Sequence, residues 1–460
     1  MEPTIAALST FPGKSAIGII RISGPGVFDT LKRVFSFSSA PMTLAAARPR
    51  FIYRGFIKDE KSAIDEVLLA LFKKPSSYTG EDMAEIYCHG NPLLIDKILD
   101  LLFQNNVIPA EPGEFTRRAF LNGKMDLSQA EAIAEIISSK NEAAIRINAA
   151  QLLGKEKNVI SALSGKIKNM LSLIEAEIDF AYEDIQKITH DNIIECINEC
   201  LSMTDRLIKG ADEGIMLKNG IKTVFTGLPN SGKSSLFNAL LKKNRAIVTN
   251  IPGTTRDTIE GSLTIDGLPF TLIDTAGIRD SSDIIEAEGI KRADEAAVNA
   301  DILIITIDSS VPYSDSFFLP FRMFSPDKKL IFALNKSDLP LKISVSEIKK
   351  ILPKGSSIVS TNTVEKNGIS DLTNELKNII INDSFIPIED ITVSSLRHKQ
   401  ALLKAQKSLV NALNACSDRM SFEFPAADIR EAIRDIESIL GRISSEDILE
   451  EIFSNFCIGK

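Results

Sequence analysis

No apolar run in this 460-residue chain approaches the ~18 residues that a membrane-spanning helix requires; the longest candidate, "ILIITI", has the length of a strand. The opening "MEPTIAALSTF" has no basic region followed by a long apolar stretch, so no secretory signal is expected. Cysteine is scarce and odd in number: five residues, Cys88, Cys196, Cys200, Cys416 and Cys457, lie scattered. That argues against a disulfide framework and for a reducing cytoplasm. Cys196 and Cys200 sit four apart, but no matching His or Cys pair lies nearby, so a plain packed helix is expected rather than a metal site. Basic excess is lacking too. With a net charge of −8, a nucleic-acid partner would need a local basic patch rather than global attraction. Internal repeats and low-complexity tracts are absent.

Proline is missing between Pro112 and Pro229, and that gap divides the chain. Before it, residues 1–120 mix short strands ("AIGIIRISG", "EVLLALF", "AEIYCHG") with a helix that starts at a proline, "PLLIDKILDLLFQ", as an α/β unit does. Within it, residues 121–215 carry apolar positions at three- and four-residue spacing, the signature of helices that pack by one face. "GADEGIMLKNG" reads as a glycine-punctuated break. Residues 216–384 then alternate strands with helices. "DILIITIDSS" and "KLIFALNKSD" suit a sheet buried on both faces, and "GSLTIDGLPFTLIDT" suits a hairpin about Asp-Gly. Helical texture returns over 385–460. The expected architecture is therefore multidomain, α/β plus all-α: an N-terminal α/β domain, a discontinuous helical domain built from both flanks, and a doubly wound P-loop domain inserted into it.

The inserted segment carries the chemistry. "GLPNSGKSS" fits a phosphate loop from Gly227 to Ser234, after a strand and opening a helix. In such a loop the backbone N–H groups, Asn230, Ser231 and Gly232 among them, close around phosphates. Lys233 supplies charge to the β- and γ-phosphates, Ser234 offers its hydroxyl to Mg2+, and Ser235 follows. Asn335, Lys336 and Asp338 of "NKSD" select GTP, because the carboxylate accepts from two adjacent N–H donors that adenine lacks. Ser360 and Thr361 fall where the base-contacting loop is expected. "TNIPGTT" (Thr249, Asn250, Ile251, Pro252, Gly253, Thr254, Thr255) supplies Thr255 to Mg2+. "DTAG" (Asp274, Thr275, Ala276, Gly277) supplies an outer-shell carboxylate and a γ-phosphate donor. Ile278 follows, where a Ras-like enzyme has a water-positioning glutamine, and isoleucine can make no hydrogen bond.

Three further stretches, "PSSYTGEDMAEIYCHG", "PGEFTRRAFLNGKMDLSQAEAI" and the terminal "EDILEEIFSNFCIGK", resemble the MnmE (TrmE) family of tRNA-modifying GTPases over the full length. The resemblance implies a potassium-stimulated, Ras-like GTPase and a homodimer through the N-terminal domain. It implies a heterotetramer with the flavoprotein MnmG, which carries FAD and NADH. It implies addition of a carboxymethylaminomethyl or aminomethyl group to C5 of the wobble uridine of certain tRNAs. The one-carbon unit comes from 5,10-methylene- or 5-formyl-tetrahydrofolate, on an N-terminal folate-binding-like domain. By similarity K+ is held by Asn230, Thr249, Ile251 and Thr254, and Glu286 activates water. Read from the residues alone, Glu286 is better taken as a solvated acid at a charged helix start, and the resemblance reverses that reading. Arg21, Glu85, Lys124 and Lys460 would line the folate site by similarity, although each alone could be a surface charge, and Cys457 would serve modification but not GTP cleavage. "CIGK" is no prenylation box, since Gly and Lys occupy its last two places. The rival classes are a GTPase of ribosome or RNA maturation and a membrane-acting GTPase. The second lacks an apolar or basic insertion loop, and no membrane role is expected.

Overall fold

Along "IGIIRIS" (Ile17–Ser23) Ile20 and Ile22 are buried on one side while Arg21 points to the other, the two-residue period of a strand in a one-sided core. In the computed structural model, which describes residues 2–38, 43–60, 62–179, 189–243, 259–274, 295–312, 328–343, 345–353, 355–365, 367–381, 387–443 and 446–460, the chain forms two compact units. One comprises residues 1–138, 148–204 and 401–460, the other 139–147 and 205–400.

The first unit contains a seven-stranded sheet. Its strands are β1 (Ile5–Leu8), β2 (Ile17–Ser23), β3 (Phe35–Phe37), β4 (Ile52–Lys58), β5 (Ala63–Phe72), β6 (Met83–His89) and β7 (Ile108–Pro109), in the order β3-β4-β5-β6-β2-β1-β7. One face is covered by α1 (Val27–Val34) and α2 (Pro92–Phe103), whose Val27, Leu31, Ile95, Ile98 and Leu102 pack on Ile20, Ile22, Leu69, Ala84 and Ile86. Asn91 caps α2 by accepting from the Leu93 N–H at 3.0 Å, with Pro92 in the first turn, where a missing donor costs nothing. On the other face Phe115 of α3 (Glu114–Leu121) packs against Ile5, Ala7 and Tyr78. Helices α4 (Leu127–Ser138), α5 (Glu142–Leu152), α6 (Lys155–Asp179) and α7 (His190–Asn219) follow. The expected break at residues 210–220 is a correction. The helix runs on through Gly210 and Gly214 and stops at Gly220, which takes the left-handed conformation (φ 78) common after a helix end. Gly214 serves packing instead: a Cβ there would meet the Val393 carbonyl oxygen at 2.5 Å.

The second unit holds β8 (Ile221–Thr226), α8 (Lys233–Lys243), β9 (Ile259–Ile265), β10 (Leu268–Asp274), β11 (Ile302–Asp308), β12 (Lys329–Asn335), α9 (Val345–Ile351), β13 (Ser357–Ser360) and α10 (Ile369–Ile381). Strand order is β13-β12-β11-β8-β10-β9, parallel except for the β9–β10 hairpin. Asp266 (φ 48) and Gly267 (φ 88) make the expected turn. Ile302, Ile304, Ile331 and Ala333 face one core with α8 and α10, while Leu303, Ile305, Leu330 and Phe332 face a second core. Burial on both faces explains why these strands read as continuous apolar runs. The chain ends with α11 (Leu396–Ser417), α12 (Glu423–Ile439) and α13 (Glu446–Ser454). Ser164 of α6 donates to Glu437 of α12 at 3.1 Å across 273 positions of sequence.

Candidate functional site

The parallel strands of the second unit all end on one side, the usual ligand edge of a doubly wound sheet. There residues 227–232 join β8 to α8 by a turn that few other residues could make. Gly227 (φ 143) and Gly232 (φ 95) would, with a Cβ, overlap the Thr306 carbonyl oxygen and the Asn335 amide. Asn230 takes φ 59, the left-handed region that asparagine tolerates better than most. Lys233 is 6% exposed, and its Nζ donates to the carbonyls of Gly227 (3.1 Å) and Leu228 (2.8 Å), which keeps the ammonium over the loop. Ser231 is 2% exposed, and its Oγ has no partner among the described residues. Ser234 and Ser235 open the first turn of α8 and are exposed, so the helix N-terminus and a hydroxyl face the loop's mouth. Asp274, 1% exposed, ends β10 in register with Phe225 of β8.

Asn335 braces this loop. Its Nδ2 donates to Ser231 O at 3.0 Å, its Oδ1 accepts from Thr361 Oγ1 at 3.3 Å, and its carbonyl accepts from Ser309 Oγ at 2.7 Å. Phosphate loop and base loop are thus one hydrogen-bonded block, a link that residue spacing alone does not reveal. Lys336 (φ 60) pairs with Asp308 at 2.6 Å. Burial pushes the Asp308 carboxyl up, but bonds from Lys336 and Ser310 outweigh it and hold it below the usual range. Asp338 is exposed beyond β12, Ser360 is exposed at the end of β13, and the Thr361 carbonyl accepts from the Ser337 N–H at 3.2 Å. Thr249, Asn250, Ile251, Pro252, Gly253, Thr254, Thr255, Thr275, Ala276, Gly277 and Glu286 lie outside the described residues.

A second constellation lies in the first unit. Arg21 and Glu85 are direct cross-strand partners on β2 and β6, on the face away from α1 and α2. Arg21 Nε and Nη2 both reach Glu85 Oε1 (3.1 and 2.8 Å), and Tyr87 Oη donates to Oε2 at 2.9 Å. The guanidinium carbon stands 5.0 Å from the Tyr78 ring centroid and 5.6 Å from that of Phe115. Arg21 Nη1 is buried and has no hydrogen-bond partner among the described residues. The chain's end arrives here: Ile458 bridges Pro112, Ser9 Oγ donates to Gly459 O at 3.0 Å, and Phe115 N donates to Lys460 O at 3.1 Å. Burial, and next the charge of Arg21, lower the Lys460 ammonium pKa against the pull of Glu85 and Cys457. Cys457 is exposed, and the three residues after it are held by Pro112, Ser9 and Phe115 of the N-terminal region. Arg21, Glu85 and Lys460 therefore come together. Lys124 Nζ donates to Pro75 O at 2.9 Å, three residues before Tyr78.

Tyr78, Tyr87 and Phe115 were not expected at this site. Tyr87 lies two residues from Glu85 on one strand and could have been found from strand period; the other two depend on tertiary packing. The basic run Arg117, Arg118, Lys124 is divided. Arg118 is 2% exposed and spent on Glu81 (3.1 Å), Glu114 (2.6 Å) and Pro3 O (2.9 Å). Cys196 and Cys200 lie on α7, and no metal-binding group of His, Cys, Asp or Glu occurs among the described residues.

Guanine is the base whose paired N–H donors suit the Asp338 carboxylate, so the class of protein is a P-loop GTPase. The sequence profile of the MnmE helical domain matches residues 127–457, and that of the GTP-binding protein TrmE N-terminus matches residues 4–124. Proteins named tRNA modification GTPase MnmE are similar end to end. That of Thermoanaerobacter pseudethanolicus is 40% identical over 459 residues, 99% of each chain. Those of Clostridioides difficile and Aquifex aeolicus are each 40% identical over all of both chains. The chain belongs to the MnmE (TrmE) family of tRNA modification GTPases.

Proposed function

We propose that this GTPase works in the cytoplasm as a homodimer with the flavoprotein MnmG to install a carboxymethylaminomethyl or aminomethyl group on C5 of the wobble uridine. One observation carries the reading: similarity to the MnmE relatives spans 99% of this chain, so the N-terminal sheet is retained along with the GTPase unit. A bound tetrahydrofolate would supply the one-carbon unit. The residues fit such a ligand, since Arg21 Nη1 is a buried donor with no partner among the described residues and Lys460 adds a second cation beside it. Glu85 Oε1 accepts from both Arg21 Nε and Nη2, whereas Oε2 accepts from Tyr87 and keeps a lone pair for an N–H donor of a pterin edge.

In the nucleotide site Lys233 would offset phosphate charge, Ser234 would offer its hydroxyl to Mg2+ and the α8 N-terminus would orient the phosphates. Asp274, buried at the end of β10, would serve the metal's outer shell. A bound K+ would offset charge on the β- and γ-phosphates, near Asn230 on the loop. Its further ligands in our reading (Thr249, Ile251, Thr254) and the water-activating Glu286 lie outside the described residues.

The test is mass spectrometry of wobble uridines from a deletion strain, repeated with the chain restored. Unmodified uridine that regains its substituent on restoration is expected; a normal uridine in the deletion strain favours a role in ribosome or RNA maturation and refutes the reading. GTP turnover in KCl and in NaCl at equal ionic strength tests the cation, and equal rates would sink it.

A further inference from the structure

In a chain of net charge −8, many described cations are spent on carboxylates, among them Lys32 on Asp29, Lys166 on Glu199 and Arg430 on Glu175. A cluster of five is not. Arg48 and Arg50 precede β4, and Lys73 and Lys74 follow β5; the two strands pair with Ile52 opposite Ala70, so all four cations share one end of the pair. The Arg50 N–H donates to Leu71 O at 2.7 Å, which locks that end together. Lys124 arrives from beyond α3 and donates to Pro75 O, while Arg50 Nη2 reaches Ser76 O at 3.4 Å. All five side chains are exposed, and among the described residues none makes an ion pair with a carboxylate. Asp82, close by, accepts from the Lys74 backbone N–H at 3.0 Å. Neutral carbonyl partners hold Arg50 and Lys124 in place yet leave their charge uncancelled and most of their donors available. Phe51, 54% exposed, follows Arg50 in the chain just before β4.

We propose that Arg48, Arg50, Lys73, Lys74 and Lys124 form a surface that holds the phosphodiester backbone of tRNA, with Phe51 stacking on an unpaired base. The inference rests on the reading that the chain acts in tRNA modification. An acidic protein cannot draw RNA by its overall field, so the attraction has to be local, and this surface supplies it. Clustered uncancelled cations with an exposed ring next to Arg50 in the chain suit RNA better than a free anion, because the ring offers a small anion nothing and offers a base a stacking platform. Such cations position the RNA without reading its sequence.

The test uses the full-length protein with Arg48→Gln, Lys73→Gln and Lys74→Gln together, and tRNA binding measured across a salt series. The slope of log affinity against log salt should become shallower by about 2–3, at roughly 0.7–0.9 for each phosphate no longer neutralised, and affinity at moderate salt should fall at least about tenfold. GTP turnover and folate affinity should stay at the wild-type level. Phe51→Ala should weaken binding at least about fivefold, the ~1 kcal/mol of one stacked base, with the slope unchanged. An unaltered slope and affinity in the triple variant overturn the surface. So does a triple variant that loses folate but keeps tRNA, which would assign the cations to the folate's anionic tail. A wild-type chain that restores modified uridine in the deletion strain yet binds no tRNA by itself overturns the surface and leaves the functional reading standing. Normal uridines in the deletion strain overturn both.

Discussion

Gly459→Ala should release the last residues of the chain from the sheet. Gly459 has φ +91, a conformation that costs an L-residue about 1–3 kcal/mol. The added Cβ would also overlap the Leu8 carbonyl oxygen and lie 2.8 Å from the Leu8 carbonyl carbon. Both are backbone atoms, with no rotamer by which to yield. Against this strain stand two hydrogen bonds, Ser9 Oγ to Gly459 O and Phe115 N to Lys460 O, worth about 1–3 kcal/mol together. The strain matches or exceeds the docking energy, so the tail should leave. Release should stop short of Phe456, which is 6% exposed and packed with Phe453, Leu127 and Leu449. The direct assay is amide hydrogen exchange at Phe115, whose N–H loses its acceptor; protection should fall about tenfold or more, since ~1.4 kcal/mol is a factor of ten. Folate affinity should drop in parallel as Lys460 leaves Arg21 and Glu85, while GTP turnover and the urea midpoint stay near wild type. Unchanged Phe115 protection would refute the steric argument. Lost protection with unchanged folate affinity would remove Lys460 from the site.

Gly232→Ala should abolish tight GTP binding, because its Cβ would overlap Asn335 Nδ2 and break the bond to Ser231 O; a nucleotide titration at wild-type affinity would contradict this. Glu437→Gln should destabilise the first unit by about 1.5–3 kcal/mol at neutral pH in urea melts, since Lys168, Arg442 and Ser164 all donate to that carboxylate. Burial pushes Glu437 up, but those bonds outweigh it and hold its folded pKa below the unfolded value of about 4.3. Its contribution is therefore complete above about pH 5 and lost as pH falls through the folded value, so the gap between wild type and variant should close in acid. A gap that persists in acid would show that the carboxylate's charge is not its source.

Much of the fold was legible because its signals are local. The apolar runs of β11 and β12, the Asp-Gly turn and the proline at the start of α2 each declare themselves within a few residues. The misreading at residues 210–220 was local as well. Two glycines looked like a break, yet one of them is there so that the Val393 backbone can approach the helix. Arg118 shows the same limit from the other side. In sequence it belongs to a basic run; in the fold it is the counter-ion of Glu81 and Glu114, because the docking of α3 takes that face of the helix out of water.

The sequence by itself determined the nucleotide chemistry. A phosphate loop is eight consecutive residues, Gly227 to Ser234, whose spacing along the chain is also their spacing around a phosphate. Tertiary structure alone decided the rest: that Asn335 braces the phosphate loop, that Lys460 ends beside Arg21 and Glu85, and that Lys124 joins the cations flanking β4 and β5. Phe115 and Lys460 lie 345 positions apart, and no periodicity reaches that far. Their meeting is set by which apolar faces bury one another, and the charges are carried to their places by that packing.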